Sequence, residues 1–306
     1  MVAVIRAEGL EWKEDGWRDD VRRPRRCVSK QTWPREMVRR GSGSFEDRVV
    51  GGLGQLSQHT IGTGLVAFIV MLCTWTFVVH WALVFRALWK ANALLATLAS
   101  GAHQAIHGLL LYSLYRAVTE DPGFVARHAS AASLGEPGQA GFCDKCSLRR
   151  PDRAHHCRIC KRCVRRMDHH CLFVNNCVGA GNYKFFVLLL FYTIVGGFYN
   201  GALSYIWARL HQRPADSDVL DFGRGMVLAN GCTIAMISLI LLPFCSYHLF
   251  LAATNTTTLE ALKGKTNHYD LGSPLRNMRH VFGSRPSLWL SPFHSDVTDD
   301  DPLLAV

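Results

Sequence analysis

The chain has 306 residues, of which 49% are hydrophobic, and its 34 Lys and Arg against 24 Asp and Glu give a net charge of +10. The hydrophobic residues are gathered into long blocks separated by basic stretches, a distribution typical of a membrane protein. Nucleic acid is not expected as a partner, because the basic residues lie beside the apolar blocks and no groove-reading recognition helix is evident.

Residues 1–58 are predicted to form a partly disordered tail. Before Val49 they carry twelve Lys and Arg and nine Asp and Glu but few large apolar residues. Such a composition does not favour a packed core. The four arginines within residues 22–26 could contact anionic lipid or simply be solvated, and Gly41–Ser44 is typical of a linker.

Four windows are long enough to cross a membrane, whose ~30 Å apolar core needs about 20 helical residues. They are residues 61–85, 91–115, 185–207 and 227–251. None of them contains Asp, Glu, Lys or Arg. Buried helices of a large soluble protein are the alternative, but charge-free windows of this length favour membrane spans. The predicted fold is an α-helical membrane protein, with spans 1 and 2 in residues 59–115 and spans 3 and 4 in residues 185–251.

The distribution of Lys and Arg predicts the orientation, because loops rich in them stay on the cytoplasmic side. Cys143–Lys184 carries ten Lys and Arg against three Asp, whereas the loop Ala208–Met226 carries three residues of each sign. We therefore expect residues 116–184 and both tails, 1–58 and 252–306, in the cytosol. The short loop between spans 3 and 4 is then lumenal.

Seven of the eleven cysteines fall between Cys143 and Cys177. A cytosolic location argues against disulfides and for thiolate ligation or catalysis. Cysteines separated by two residues, such as Cys143 and Cys146, can present both sulfurs to one tetrahedral ion, so a module with two structural zinc ions is expected. The remaining candidate ligands are Cys157, Cys160, Cys163, Cys171, His155, His156, His169 and His170.

Two closed zinc sites need eight ligands, so three of these eleven candidates are spare. Spacing alone leaves open which three they are. A spare cysteine here would lie beside a histidine and many arginines, and nearby positive charge favours the thiolate form. The segment therefore predicts a zinc module that keeps one thiol for nucleophilic chemistry.

Asp168–Cys171, with the sequence DHHC, lies in a cysteine-rich region flanked by two pairs of spans. In this the chain resembles the DHHC family of protein S-acyltransferases (palmitoyltransferases). The resemblance extends over about residues 60–295. Further matching segments, in the same order, are Asp121–Gly123, Asn175–Gly179, Asn182–Tyr183, Thr257–Glu260, Asn267–Gly272, Asn277 and Val281–Gly283.

The resemblance implies a role for each candidate ligand. One zinc ion would be held by Cys143, Cys146, His156 and Cys163. The other would be held by Cys157, Cys160, His170 and Cys177. Cys171 would then be the nucleophile, His169 its base and Asp168 the group that orients the imidazole. His155 would lie close to the ligands without binding zinc.

The resemblance also implies the reaction and its partners. Cys171 would take a fatty acyl group from palmitoyl-CoA and pass it to cysteines of membrane-associated substrate proteins. The Golgi or the endoplasmic reticulum is the expected membrane, with endosomes, lysosomes and the plasma membrane as alternatives. A basic surface would receive the CoA phosphates or lie against anionic lipid. Its members are Arg149, Arg150, Arg158, Lys161, Arg165 and Arg166.

One position departs from the family. The family usually follows its reactive cysteine with Pro-Trp, whereas this chain has Leu172 and Phe173. The aromatic ring is kept, so contact with an acyl chain is still expected. The restraint that proline places on the backbone is lost, and acylation is the step that this loss would affect.

Small and polar residues inside the spans allow two interpretations each. Gly196 and Gly197 lie about 12 residues past Tyr183, or ~20 Å along a helix, where the end of a 16-carbon chain would lie. They would leave room for that chain or let two helices pack closely. His103 and His107 are spaced to bind an ion, but hydrogen bonds across the bundle are the expected role.

Two other classes of protein remain as alternatives. The chain could be a zinc-stabilised membrane adaptor that binds partner proteins with weak catalysis or none. A four-span transporter is less favoured, because the predicted spans carry no charged residue. The presence of Asp168, His169 and Cys171 together favours the enzyme.

Overall fold

The computed structural model describes residues 45–126, 141–210, 218–264 and 268–294. The chain divides into two units, Met1–Arg48 and Val49–Val306, and the elements described here lie in the second unit, apart from the first residues of the first helix. The predictions for the arginine cluster and the linker of the N-terminal tail lie outside the described residues.

Four of the described helical segments are long and apolar enough to cross a membrane. They are Gln58–Ala91, Ala93–Thr119, Tyr183–Leu210 and Phe222–Ala253. They overlap the four predicted windows, and each is longer than its window because polar residues continue the helices at their ends. The cysteine-rich region lies between the second and third segments, which confirms the predicted fold class.

Short breaks divide the helical segments into elements. The helices are α1 (Phe45–Val79), a π-helical segment (His80–Phe85), α2 (Arg86–Ala91), α3 (Ala93–Thr119), α4 (Tyr183–Leu210), α5 (Asp218–Ala253), α6 (Thr258–Leu262), α7 (Pro274–Phe282) and a 3-10 turn (Pro286–Leu288). Asn92 separates the first two spans: its backbone is extended, and its side chain accepts a hydrogen bond from Leu95 N at 2.9 Å. This N-cap starts α3 and turns the chain back into the membrane.

The cysteine-rich region consists of very short antiparallel hairpins. Its strands are β1 (Phe142–Cys143), β2 (Leu148–Arg149), β3 (His155–Cys157), β4 (Arg162–Val164), β5 (His169–Cys171) and β6 (Asn176–Val178). They pair as β1–β2, β3–β4 and β5–β6. In each turn the residue before the return strand has a left-handed backbone, at Ser147, Lys161 and Asn175, with φ of 53°, 51° and 48°. The three hairpins therefore share one turn geometry.

Helix α4 is the most enclosed of the spans and packs between α3 and α5. Phe185 and Leu188 on α4 belong to a buried cluster that also includes Leu110 and Leu114 of α3 and Cys245 of α5. Large apolar side chains on the outer faces of α1, α3 and α5 are exposed, as expected of surfaces that face lipid. The bundle thus places the start of α4, which follows the third hairpin directly, in its centre.

The two glycines of α4 lie in different environments. A Cβ on Gly197 would lie 2.8 Å from the carbonyl oxygen of Ile234 on α5 and would also meet Ser238. Gly197 therefore serves the close packing of α4 on α5, one of its two predicted uses. A Cβ on Gly196 would instead meet only the Ile106 side chain of α3, at 3.2 Å.

A polar network crosses the bundle at the histidines of the first two spans. His80 Nε2 and Ser100 Oγ form a hydrogen bond of 3.0 Å, and the rings of His80 and His103 stack with centroids 4.0 Å apart. Asn200 Nδ2 lies 3.4 Å from His103 Nε2, and Asn230 Nδ2 donates to Asn200 Oδ1 at 3.1 Å. His103 thus hydrogen-bonds across the bundle, as expected. Among the described residues His103 and His107 do not belong to a group suited to metal.

We expect Gly197→Ala to destabilise the bundle, because the added methyl group overlaps Ser238 and the backbone of Ile234. Overpacking of this kind costs about 1–3 kcal/mol. Gly108→Ala on α3 is the matched control, since its Cβ would enter open space. Thermal unfolding of both variants in detergent measures the difference. Equal midpoints for the two variants would show that the contact at Gly197 is not tight.

Candidate active site

The first two hairpins bring together four of the predicted ligands. The Nδ1 atom of His156 lies 3.6 Å from Cys143 Sγ, 3.2 Å from Cys146 Sγ and 4.0 Å from Cys163 Sγ. Cys143 and Cys146 come from the turn of hairpin β1–β2, whereas His156 and Cys163 are opposite each other in the register of β3–β4. The first group therefore joins hairpin one to hairpin two.

The second and third hairpins form a second group in the same way. The Nδ1 atom of His170 lies 3.7 Å from Cys157 Sγ, 3.4 Å from Cys160 Sγ and 3.6 Å from Cys177 Sγ. His170 and Cys177 are opposite each other in β5–β6. This group joins hairpin two to hairpin three.

Both groups fit a tetrahedral zinc ion. With Zn–S near 2.3 Å and Zn–N near 2.0 Å, a tetrahedral site requires S···N separations of roughly 3.6 Å. The six separations above scatter around that value, from 3.2 to 4.0 Å. The four donor atoms of each group lie within 4.8 Å of one another. Three thiolates and one imidazole are a donor set that suits zinc.

The hairpins repeat with a period of fourteen residues, and the repeat shows why Cys171 is left over. Cys143, Cys157 and Cys171 occupy the same place, at the end of the first strand of each hairpin. Two positions further along the turn, the first hairpins have a second cysteine, whereas the third has Val174. Without that second sulfur, the third hairpin does not complete the pair that binds an ion. Among the described residues, Cys171 belongs to neither group.

Asp168 and His169 precede Cys171 on the same strand and are hydrogen-bonded to each other. His169 Nδ1 donates to Asp168 Oδ2 at 2.7 Å. Asp168 is fully buried, and Thr258 supplies two more donors: its backbone N–H to Oδ1 at 2.8 Å and its hydroxyl to Oδ2 at 2.9 Å. The carboxylate is thus held by three donors and in turn fixes the imidazole ring, leaving Nε2 for another partner.

These contacts shift the pKa values of both residues. Burial acts to raise the pKa of Asp168, but the hydrogen bonds from His169 and Thr258 outweigh it and the pKa falls. Burial acts to lower the pKa of His169, but its bonds with Asp168 and Cys171 outweigh burial and raise the pKa to about 9. Near neutral pH this favours an aspartate paired with an imidazolium, and a positive charge beside the sulfur stabilises a thiolate there.

Cys171 lies where the hairpin region meets the membrane bundle. Its side chain is only 9% exposed and belongs to the apolar cluster that contains Val174 of its own turn and Phe185 of α4. Ile69 and Cys73 of α1 pack against this cluster. The thiol therefore has a charged imidazole on one side and apolar side chains on the other.

Helix α6, just past span 4, holds the site from the side opposite the bundle. Its capping box pairs Thr257 with Glu260, and the Glu260 carboxylate also accepts two hydrogen bonds from Arg153, at 2.7 and 2.8 Å. Such a bidentate pair is strong and directional. The next residue, Thr258, is the one that contacts Asp168. The motif Thr257–Glu260 was visible in the sequence, but its contact with Asp168 joins residues 90 positions apart and has no sequence signal.

One residue of the predicted basic surface lies inside the protein. Arg166 is 5% exposed, donates to Asn255 Oδ1 at 3.2 Å and covers the ring of Tyr183. It helps to join the hairpins to the bundle and is not part of a solvated face. Arg149, Arg158 and Lys161 are exposed, so these three can meet an anion at the surface.

Comparison with known proteins identifies relatives of this arrangement. A family model described as DHHC palmitoyltransferase matches residues 136–265. Probable protein S-acyltransferase 12 of Arabidopsis thaliana is 33% identical over 253 residues, covering 76% of this chain and 84% of that protein. Palmitoyltransferase ZDHHC20 of Homo sapiens is 38% identical over 167 residues, covering 52% of this chain and 44% of that protein. Palmitoyltransferase ZDHHC15 of Xenopus laevis is 38% identical over 171 residues, 53% and 49% of the two chains. The chain thus spans most of the plant relative but about half the length of the vertebrate ones.

Replacing single cysteines should separate the two cysteine roles. Cys171→Ser should keep two zinc ions per chain, because Cys171 lies outside both groups. Cys143→Ser or Cys160→Ser should lose metal and fold poorly, because structural zinc contributes directly to folding. Mass spectrometry of bound metal on purified protein measures the stoichiometry. The control is Cys232→Ser, at an exposed cysteine. Loss of zinc from the Cys171 variant would contradict the two-group arrangement.

Proposed function

The chain belongs to the DHHC palmitoyltransferase family of protein S-acyltransferases, and we propose that Cys171 carries the acyl group, with His169 as its base and Asp168 as the orienting group. The observation that carries the proposal is the hydrogen-bonded pair of Asp168 and His169 beside a thiol that both Cys/His groups leave out. A nucleophile, a base and a group that fixes the base form the usual arrangement of covalent acyl transfer.

In the first half-reaction, the Cys171 thiolate attacks the thioester carbonyl carbon of a fatty acyl-CoA. The bond between that carbon and the CoA sulfur breaks, and CoA leaves with a proton that His169 supplies. In the second half-reaction, a cysteine thiol of a substrate protein gives its proton to His169 and attacks the new thioester. Cys171 is released as the thiolate, so the acyl group has moved without net change at the enzyme.

The eight cysteine and histidine ligands have a structural part in this proposal. Two zinc ions, held by the two groups, would keep the hairpins rigid, because strands of two or three residues have little core of their own. Zinc would thus act on the position of Cys171 and not on the reacting bond.

The surroundings of Cys171 support acyl-CoA as the donor. The apolar cluster around its thiol continues into the bundle and suits an acyl chain, whereas Arg149, Arg158 and Lys161 at the surface suit phosphates. Phe173 is 59% exposed at the turn after Cys171 and could contact lipid or the acyl chain. We propose membrane-associated proteins with accessible cysteines as acceptors.

We also propose a cytosolic location for the hairpins and for both tails. The excess of Lys and Arg between Cys143 and Lys184 supports this orientation, and acyl-CoA is a cytosolic substrate. A Golgi or endoplasmic reticulum membrane remains the expected compartment.

Labelled palmitoyl-CoA tests the proposal on purified protein. We expect a hydroxylamine-sensitive label that Cys171→Ser abolishes. Asp168→Asn should slow labelling by roughly 100-fold or more, because the imidazole loses its orienting partner. Asp144→Asn, at an exposed aspartate, is the control. A well-folded protein with bound zinc but no label would favour the adaptor alternative.

Acyl-chain length provides a second measurement. If the acyl chain extends from Cys171 along α4, Gly196→Phe should shift preference from 16 carbons toward 14 or fewer, because each excluded methylene loses about 0.8 kcal/mol of burial. Gly197 is unsuited to this test because it packs against α5. Gly108→Phe, which enters open space, is the control. An unchanged chain-length profile in competition assays with Gly196→Phe would place the end of the chain elsewhere.

A further inference from the structure

The turn that follows Cys171 contacts the first span. It consists of Leu172–Asn175 and is closed by a hydrogen bond from Asn175 N to Leu172 O of 3.2 Å. Asn175 ends the turn with φ of 48°, a left-handed backbone that asparagine tolerates better than most residues. The turn has a defined shape and directs the Asn175 side chain toward α1.

The Asn175 side chain rests on bare backbone of α1. Its Nδ2 donates to Thr63 Oγ1 at 3.2 Å and lies 3.5 Å from the carbonyl oxygen of His59. Gly62 is buried between these two residues. A Cβ on Gly62 would lie 2.7 Å from Asn175 Cγ and still closer to Oδ1. The contact therefore exists only because residue 62 has no side chain.

This contact is not explained by stability alone. Asn175 Oδ1 is buried without a hydrogen-bond partner in the described part of the chain, and an unpaired buried acceptor costs free energy. In native proteins each such group calls for an explanation. Here the amide contributes geometry, because it ties the turn next to the nucleophile to one defined place on α1.

Helix α1 is also a wall of the space beside Cys171. Ile69 and Cys73, on the inner side of α1, pack against the cluster that contains Cys171 and Val174. Other large residues of the same helix, such as Phe68 and Met71, are 53% and 60% exposed and face outward. The distance between α1 and the turn thus determines how much room lies beside the thiol.

We propose that Asn175 is a positioning residue for Cys171: its side chain, seated on Gly62, holds the turn after the nucleophile against span 1. This inference rests on the proposed role of Cys171 as the acylated residue. The clamp formed by Asn175 and Gly62 acts on self-acylation by acyl-CoA, because that step needs both the thiol and the acyl chain in register. Zinc binding and overall stability do not depend on it.

The test compares two glycines of α1. Gly62→Ala places a methyl group where the Asn175 amide lies, whereas Gly64→Ala, on the same helix, places it in open space. With labelled palmitoyl-CoA and full-length protein in detergent, Gly62→Ala slows self-acylation of Cys171 about 10-fold or more, since small displacements of reacting groups have effects of this order. Gly64→Ala acylates at the parent rate.

A second variant removes the clamp without adding atoms. Asn175→Gly keeps the left-handed backbone and deletes the amide, so it slows self-acylation as well. The double variant Gly62→Ala with Asn175→Gly is no slower than Asn175→Gly alone, because the new methyl group has no side chain to displace. This non-additive pattern identifies a direct contact between the two positions. Zinc content and thermal midpoint stay at parent values, which distinguishes positioning from a loss of fold.

The outcomes separate this inference from the proposed function. A parent protein without label at Cys171 overturns the proposed function itself. A labelled parent with parent rates in both Gly62→Ala and Asn175→Gly overturns the clamp, as does equal slowing by Gly62→Ala and Gly64→Ala. Additive effects in the double variant also overturn it. If Gly62→Ala loses zinc or folds poorly, the rate of Asn175→Gly decides.

Discussion

Ligation by two Cys/His groups is the constraint on which the active region depends. The strands of the hairpins are two or three residues long, too short to hold one another by ladder hydrogen bonds and burial. Each group takes two cysteines from the turn of one hairpin and a cross-strand histidine and cysteine from the next. The groups therefore connect the hairpins in series, and the position of the third hairpin is determined by the second group. That hairpin carries Cys171.

The fourteen-residue repeat shows how a ligand framework becomes a reaction centre. His169 in the third hairpin corresponds to His155 in the second, and Asp168 corresponds to Ala154. At the same place in the turn, Val174 stands where Cys160 binds in the hairpin before. Two changes of residue type are thus enough: one frees the first cysteine from metal, and the other gives the neighbouring histidine an acidic partner. The rigidity of the metal framework then serves the thiol without any role for metal in the reaction.

Much of this arrangement could be predicted from the sequence, and what could not has a physical reason. The four spans followed from charge-free apolar windows, since the membrane acts on each helix locally. The two ligand sets followed only from the family resemblance, although the fourteen-residue spacing contained them. The burial of Arg166 and the contact of Thr258 with Asp168 were not predictable, because both arise where distant segments pack against each other. Composition counts Arg166 as one more surface charge, and only the fold places it over Tyr183.

The long-range contacts also connect assembly of the membrane bundle to catalytic competence. A buried carboxylate is costly unless its oxygens are satisfied, and Thr258 supplies two of the three donors to Asp168. Thr258 follows span 4 directly, and its helix is held in place by the pair of Arg153 and Glu260. The hairpins alone would leave Asp168 short of donors and the His169 imidazole without a fixed orientation. The triad of Asp168, His169 and Cys171 therefore becomes complete only when the end of span 4 has docked on the hairpins, so that the thiol is activated at the membrane surface where its acyl donor lies.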